Sequence, residues 1–209
     1  MACTPVPPAA RASSAVPSPL VLVTHAPQRG EAPAGSEAAA EPDEDASAPV
    51  SAGSRSYTWT HPGLVRLYVQ PGSSLAGWDV HHLELVDEAV RAWTASGVVR
   101  VERVYFPRDA DVRLYWTDRL PSSNPGITLL HPTRAGKLRG ADVFIDAMPA
   151  PWNTGTPDRV LYATIAHELG HAFGLGHDPA PGTLMYASPL VTQVTAADLA
   201  RLRALADGR

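Results

Sequence analysis

The sequence predicts a mixed α/β domain: a twisted, mostly parallel sheet of five strands with a backing helix, a helix carrying the candidate site and a C-terminal helix. Three observations point there. Five short runs rich in β-branched and aromatic residues are bounded by Pro, Gly, Asn or Asp. A long stretch with an apolar stripe at helical spacing follows the first of them. Near the C-terminal end, two further helical patterns each begin with capping chemistry.

The elements follow in order. Leu64–Val69, between His61-Pro62-Gly63 and Pro71-Gly72, reads as the first strand. From about Asp79 to Ser96, Leu83, Val86, Val90 and Trp93 share one stripe while Glu84, Asp87, Glu88 and Arg91 fall largely off it. Gly97 closes that helix. Val98–Phe106 and Ala110–Trp116 are the next strands, parted by Pro107-Arg108-Asp109. A loop from Leu120 to Gly126 leads into Ile127-Thr128-Leu129-Leu130, and Gly140–Asp146 completes the five. Thr156, Pro157 and Asp158 suit the cap, first position and first turn of a helix. On it Leu161, Ile165 and Leu169 fall opposite His167 and His171, so one side is expected in the core and the other in a cleft. Thr195 begins a last helix with Leu199, Leu202 and Leu205 apolar.

Composition divides the chain. Residues 1–56 hold no aromatic residue and nine of the 21 prolines, so they cannot bury enough apolar surface to offset ordering entropy. They are expected to be a disordered leader or linker, and 57–209 a single domain large enough for a real core. A net charge of −4 without a basic cluster gives no reason to expect nucleic acid or an anionic membrane as partner. No run approaches a membrane span. The one cysteine, Cys3, allows no internal disulfide. Pro19–Val23 is apolar but shorter than the usual signal core, although Thr24-His25-Ala26 could precede a cleavage. A lipoprotein remnant at Cys3 is the other reading.

The chemistry concentrates in His167-Glu168-Leu169-Gly170-His171-Ala172-Phe173-Gly174-Leu175-Gly176-His177. On a helix, His167 and His171 are one turn apart and can share one ion. Gly174 can end the helix in the left-handed conformation and turn the chain back to deliver His177 as a third nitrogen ligand. Three protein ligands leave a zinc tetrahedron one position for water. Glu168, beside a ligand, can take a proton from that water and pass it to a leaving amine. With 8 His, 8 Glu and 16 Gly in 209 residues, chance would yield this spacing roughly 3 times in 10⁵, which sets aside an ordinary amphipathic helix with surface histidines.

This motif, followed by Leu184-Met185-Tyr186, resembles the metzincin zinc endopeptidases, and His177-Asp178 resembles the matrixin branch, which is like the matrix metalloproteases. Ala187 stands where astacins and serralysins place a tyrosine ligand. The resemblance spans about Tyr57 to Gly208 and implies an α+β metzincin-like fold. It places Met185 in a turn beneath the zinc and makes Ile127, Thr128, Leu129 and Leu130 an edge strand that binds substrate by strand addition. Many matrixins carry a second, structural zinc. His131 stands where one of its ligands would be, but Phe144 replaces another, so no structural zinc is expected and His131 is read as a surface or loop histidine. The family's calcium cluster is reduced to Asp146, too few oxygens for a tight site. Nothing around Cys3 matches the cysteine motif that holds matrixin zymogens latent.

The resulting expectation is a monomeric, secreted or cell-envelope zinc endopeptidase acting on proteins or peptides, with Glu168 as base. Two alternatives stand beside it: a non-catalytic, zinc-stabilised extracellular binding domain, and an enzyme held inactive by its own N-terminal tail. The pocket that selects substrate would be walled by the zinc helix and residues 188–194.

Overall fold

The computed structural model describes residues 47–61, 63–118, 120, 124–147 and 156–208. They belong to one compact unit, Pro42–Arg209; the other unit, Met1–Glu41, lies outside them, as do the candidate signal run and Cys3.

The sheet has six strands, not five. They are β1 (Val50–Ser51), β2 (Leu64–Val69), β3 (Arg100–Val104), β4 (Val112–Thr117), β5 (Gly126–Pro132) and β6 (Leu138–Asp146), in the spatial order β1-β5-β6-β4-β2-β3. β3, β2, β4 and β6 run parallel, whereas β5 is antiparallel to β6 and β1 is antiparallel to β5. The extra strand precedes Tyr57, where the domain was expected to begin. Residues 47–56 join the sheet through backbone groups, which need neither aromatic nor bulky side chains to pair. Ser47 N donates to Pro132 O, and Ala52 N donates to Thr128 O.

Among the described residues three α-helices accompany the sheet: α1 (His81–Thr94), α2 (Pro157–Ala172) and α3 (Ala196–Ala206). α1 buries His82, Leu85, Val86, Ala89 and Trp93, with Leu83 and Val90 at the flanks of the stripe. Gly97, at φ +80°, ends its turn, a conformation that glycine adopts without a Cβ penalty. The strand expected over Val98–Phe106 is shorter, because Pro107–Asp109 forms a 3₁₀ turn that draws Phe106 out of the ladder.

The core lies between one sheet face and α1 and α2. It is built from Val65, Leu67 and Val69 of β2, Val112, Leu114 and Trp116 of β4, and Val143 and Ile145 of β6. The alternate residues point to the other face. There Tyr68, Tyr115 and Phe144 follow one another at 5.9 and 5.7 Å between rings. His131 also belongs to β5 and is not a loop residue. Its Nε2 lies 2.7 Å from Asp142 Oδ2, and Asp142 in turn takes the guanidinium of Arg113 on β4.

α2 departs from the two-sided helix that periodicity implies. Every residue from Val160 to Ala172 is buried. The sheet covers one side, while α1 and the turn holding Met185 cover another. A helix buried all round shows only a weak amphipathic pattern. Thr156 does hold the N-cap position, with Pro157 next, but its side chain makes no capping bond. At α3 the capping box is complete: Thr195 Oγ1 accepts from Asp198 N, and Asp198 Oδ2 accepts from Thr195 N.

Candidate metal centre

The last turns of α2 bring His167 and His171 to one side, with ring centroids 4.8 Å apart. Phe173 leaves the helix, and Gly174, at φ +101°, turns the chain. His177 then returns to 5.4 Å from the ring of His167 and 4.7 Å from that of His171. One nitrogen from each ring can be chosen so that all three lie within 4.8 Å of one another, a group able to hold a metal ion. Among the described residues it is the one such cluster of His, Cys, Asp or Glu.

The ring orientations are fixed by backbone acceptors. His167 Nδ1 donates to Leu184 O and His171 Nδ1 donates to Leu175 O, each at 2.7 Å. With the proton held on Nδ1, the Nε2 lone pair of both rings is free for a metal, the orientation that metal-binding imidazoles commonly take. Burial pushes the imidazolium pKa of His167 down to about 4 and that of His171 to about 3. Burial also lowers that of His177, with the cationic Arg201 acting the same way. All three rings are therefore neutral at neutral pH, and a metal would not need to displace protons to bind them.

Two features that sequence spacing does not show support these ligands. Asp198, fully buried at the start of α3, accepts from Leu184 N at 3.0 Å and Met185 N at 3.2 Å. The carboxylate thus pins the turn holding Met185, whose Leu184 carbonyl orients His167. Arg201, one turn further along α3, donates from Nη2 to Gly176 O at 3.1 Å and pairs through Nη1 with Asp178 at 3.2 Å. That holds the segment carrying His177. In the sequence, Thr195 marks the start of this helix, but nothing marks Asp198 or Arg201 as supports of the histidines.

Met185 is fully buried against α2. A Cβ on Gly170 would collide with Met185 Sδ and would lie 2.7 Å from Trp93 Cζ2. Gly170 thus lets methionine and tryptophan press on the helix between its two histidines. Trp93 is anchored there by donating from Nε1 to Ala166 O at 2.8 Å. Met185 thus packs against α2 at Gly170, beside Trp93.

Glu168 faces β5. Its Oε2 accepts from Thr128 Oγ1 at 2.7 Å, and the side chain is buried beside Gly126. Burial pushes its carboxyl pKa up to about 7, against the smaller opposing pull of the Thr128 hydroxyl bond. A carboxyl poised in that range can both accept and release a proton near neutrality.

β5 is not a free edge. Val50 and Ser51 pair with Leu130 and Leu129, and the outward carbonyl of Thr128 is taken by Ala52 N at 2.8 Å. The next residue reaches the histidine cluster, where His177 N donates to Gly53 O at 2.8 Å. Further on, Ser56 Oγ accepts from Gly176 N, and Tyr57 N donates to Gly174 O. The chain from Ser47 to Tyr57 therefore runs along β5 and past the third histidine. Of the four residues expected to form the edge, Ile127 and Thr128 lie beyond the two residues paired with β1.

A sheet-backed helix presenting two histidines, a glycine bend returning a third, and a neighbouring buried carboxyl define the metallohydrolase class of site. The matrixin family model matches residues 74–202, and the chain belongs to that family of zinc metalloproteases. Among curated relatives, human (Homo sapiens) matrix metalloproteinase-20 is 32% identical over 106 residues, covering 48% of this chain and 22% of that protein. Matrilysin of Rattus norvegicus is 32% identical over 109 residues, 49% of this chain and 40% of the relative. Interstitial collagenase of Aquarana catesbeiana is 38% identical over 73 residues, 35% of this chain and 19% of the relative. The matches thus cover two fifths or less of each of these relatives. No helix among the described residues is long and apolar enough to cross a membrane.

Proposed function

We propose that the chain is a zinc-dependent endopeptidase in which His167, His171 and His177 bind one zinc ion and Glu168 is the general base. The observation that carries this reading is the convergence of three neutral imidazoles beside a buried carboxyl. The donor set fits zinc, a borderline ion readily bound by uncharged nitrogen. When bound, zinc supplies Lewis-acid polarisation and lowers the pKa of a coordinated water. Glu168 would accept a proton from the attacking water as the water oxygen bonds to the scissile carbonyl carbon. The same carboxyl then gives the proton to the amide nitrogen as the C–N bond breaks, so acid and amine products balance. His167 and His171 keep their Nδ1 protons on the carbonyls of Leu184 and Leu175 throughout, which preserves their orientation.

Proteins or peptides are the proposed substrates and a secreted or cell-envelope monomer the proposed state, in keeping with the metalloproteinase relatives. A purely binding role would not need a buried carboxyl next to a histidine of the cluster, and its presence favours catalysis. The test is turnover of a generic peptide mixture. Cleavage should stop on chelation and return with added zinc. Zinc uptake without any cleavage would favour the binding-domain reading instead.

One observation favours adding self-restraint to this reading. An extended substrate would pair with the outward groups of β5, and Val50–Gly53 already occupies that line up to His177. Substrate must then displace the segment or pair beside it, while Cys3 is not required for this restraint. A chain shortened to begin at Ser54 should cleave peptides severalfold faster than the full chain; equal rates would eliminate the restraint.

A further inference from the structure

We propose that Thr128 is a positioning residue for Glu168: its hydroxyl, together with the empty side-chain space at Gly126, fixes one carboxylate oxygen and leaves the other to handle the proton. The inference rests on the endopeptidase reading and adds to it a residue outside the zinc motif.

Two successive inward positions of β5 carry the argument. Thr128 is 1% exposed, and its Oγ1 lies 2.7 Å from Glu168 Oε2 and 3.1 Å from the Glu168 carbonyl oxygen. A hydroxyl has one proton, and the shorter, charge-assisted contact is the stronger bond. Branching at Cβ limits the rotamers through which that hydroxyl can swing away. Two residues earlier and on the same face, a Cβ on Gly126 would lie 2.7 Å from Glu168 Cγ, 2.9 Å from Thr164 Cγ2 and 3.1 Å from Glu168 Oε1. Glycine at 126 thus makes the slot, and threonine at 128 latches the carboxylate within it.

The two oxygens consequently differ. Oε2 accepts the Thr128 hydroxyl hydrogen bond, whereas Oε1 receives no bond from it. The proton removed from the attacking water is placed on Oε1 and later leaves from Oε1 to the amine nitrogen; Thr128 keeps its own proton throughout. A glutamate has three side-chain torsions, and a base freed to explore them spends less time within reach of the water. The backbone of Thr128 ties this latch to the cleft, because its outward carbonyl is the one that Ala52 N already uses. A peptide strand bonded to that carbonyl would be held in register with the residue that sets the base.

The experiment compares Thr128→Val, which nearly preserves shape and removes the hydroxyl, with Thr128→Ser, which preserves the hydroxyl. For a quenched fluorescent peptide, Thr128→Val should lower kcat roughly ten- to hundred-fold with KM within about two-fold of wild type. Zinc content should stay at one equivalent per chain, and Thr128→Ser should recover most of the lost kcat. If the valine variant does not fold, Thr128→Ala against Thr128→Ser reads the same contrast. A second readout uses the metal-free protein, where the drop in melting temperature caused by Thr128→Val should shrink to about half or less in a Glu168→Ala background. Wild-type kcat in Thr128→Val, or equal losses in the serine and valine variants, would overturn the proposal. So would a melting shift indifferent to Glu168. If wild type cleaves nothing at all, the endopeptidase reading fails, and the melting comparison still decides whether Thr128 holds Glu168.

Discussion

Replacing Glu168 with alanine should lower peptide cleavage by about 10³-fold or more while zinc still binds at one equivalent per chain. Glu168 projects from α2 toward β5, where it accepts from Thr128, and its deletion leaves the three imidazoles and the backbone acceptors of His167 and His171 in place. On the proposed mechanism, what disappears is the buried carboxyl that takes a proton from the attacking water and returns it to the leaving nitrogen. Glu168→Gln should lose as much, since its amide oxygen can still accept the Thr128 hydroxyl but cannot act as a base. The measurement is kcat with zinc content taken on the same sample. Undiminished cleavage by either variant would remove Glu168 from its role.

Gly174→Ala should be the most damaging small substitution in the domain. Gly174 has φ +101°, where a Cβ is strained in any case, and the added atom would collide with Tyr57 O and approach Leu205 Cδ2 to 3.3 Å. The neighbouring chain cannot easily retreat, because Tyr57 N donates to Gly174 O at 2.7 Å. We expect a loss of about 3–5 kcal/mol in unfolding free energy. Zinc affinity should fall as well, since this bend delivers His177. Gly182→Ala is the matched control: it has open space around its Cβ position and should change stability by less than about 0.5 kcal/mol. Thermal unfolding of the metal-free variants and zinc titration read both effects. If Gly174→Ala proved as mild as Gly182→Ala, the bend would not be what places the third histidine.

The histidine cluster was legible because its geometry is nearly all local. A four-residue helical interval and a glycine free to take a positive φ set where His167, His171 and His177 can go. The strands from β2 to β6, the first helix and the start of the last helix were legible for the same reason: each is written in a short window.

What the sequence concealed is tertiary. Val50 and Ser51 lie in an Ala-, Pro- and Ser-rich stretch with no strand pattern, and they pair through backbone groups that composition does not encode. The Thr128 hydroxyl is one polar residue in an apolar run until α2 lays Glu168 against it. His131 resembled a loop residue because Asp142 and Arg113, its partners, come from two other strands. The full burial of α2 escaped periodicity because α1, the sheet and the methionine turn enclose different sides of one helix.

The measurement closest to the heart of this reading is zinc-edge X-ray absorption on protein reconstituted with one equivalent of zinc. Three imidazole nitrogens and one oxygen at about 2.0–2.1 Å are expected, with one nitrogen lost in each of His167→Ala, His171→Ala and His177→Ala. A first shell unchanged by His177→Ala, or one made mainly of oxygens in wild type, would contradict the three-histidine centre on which the proposed chemistry depends.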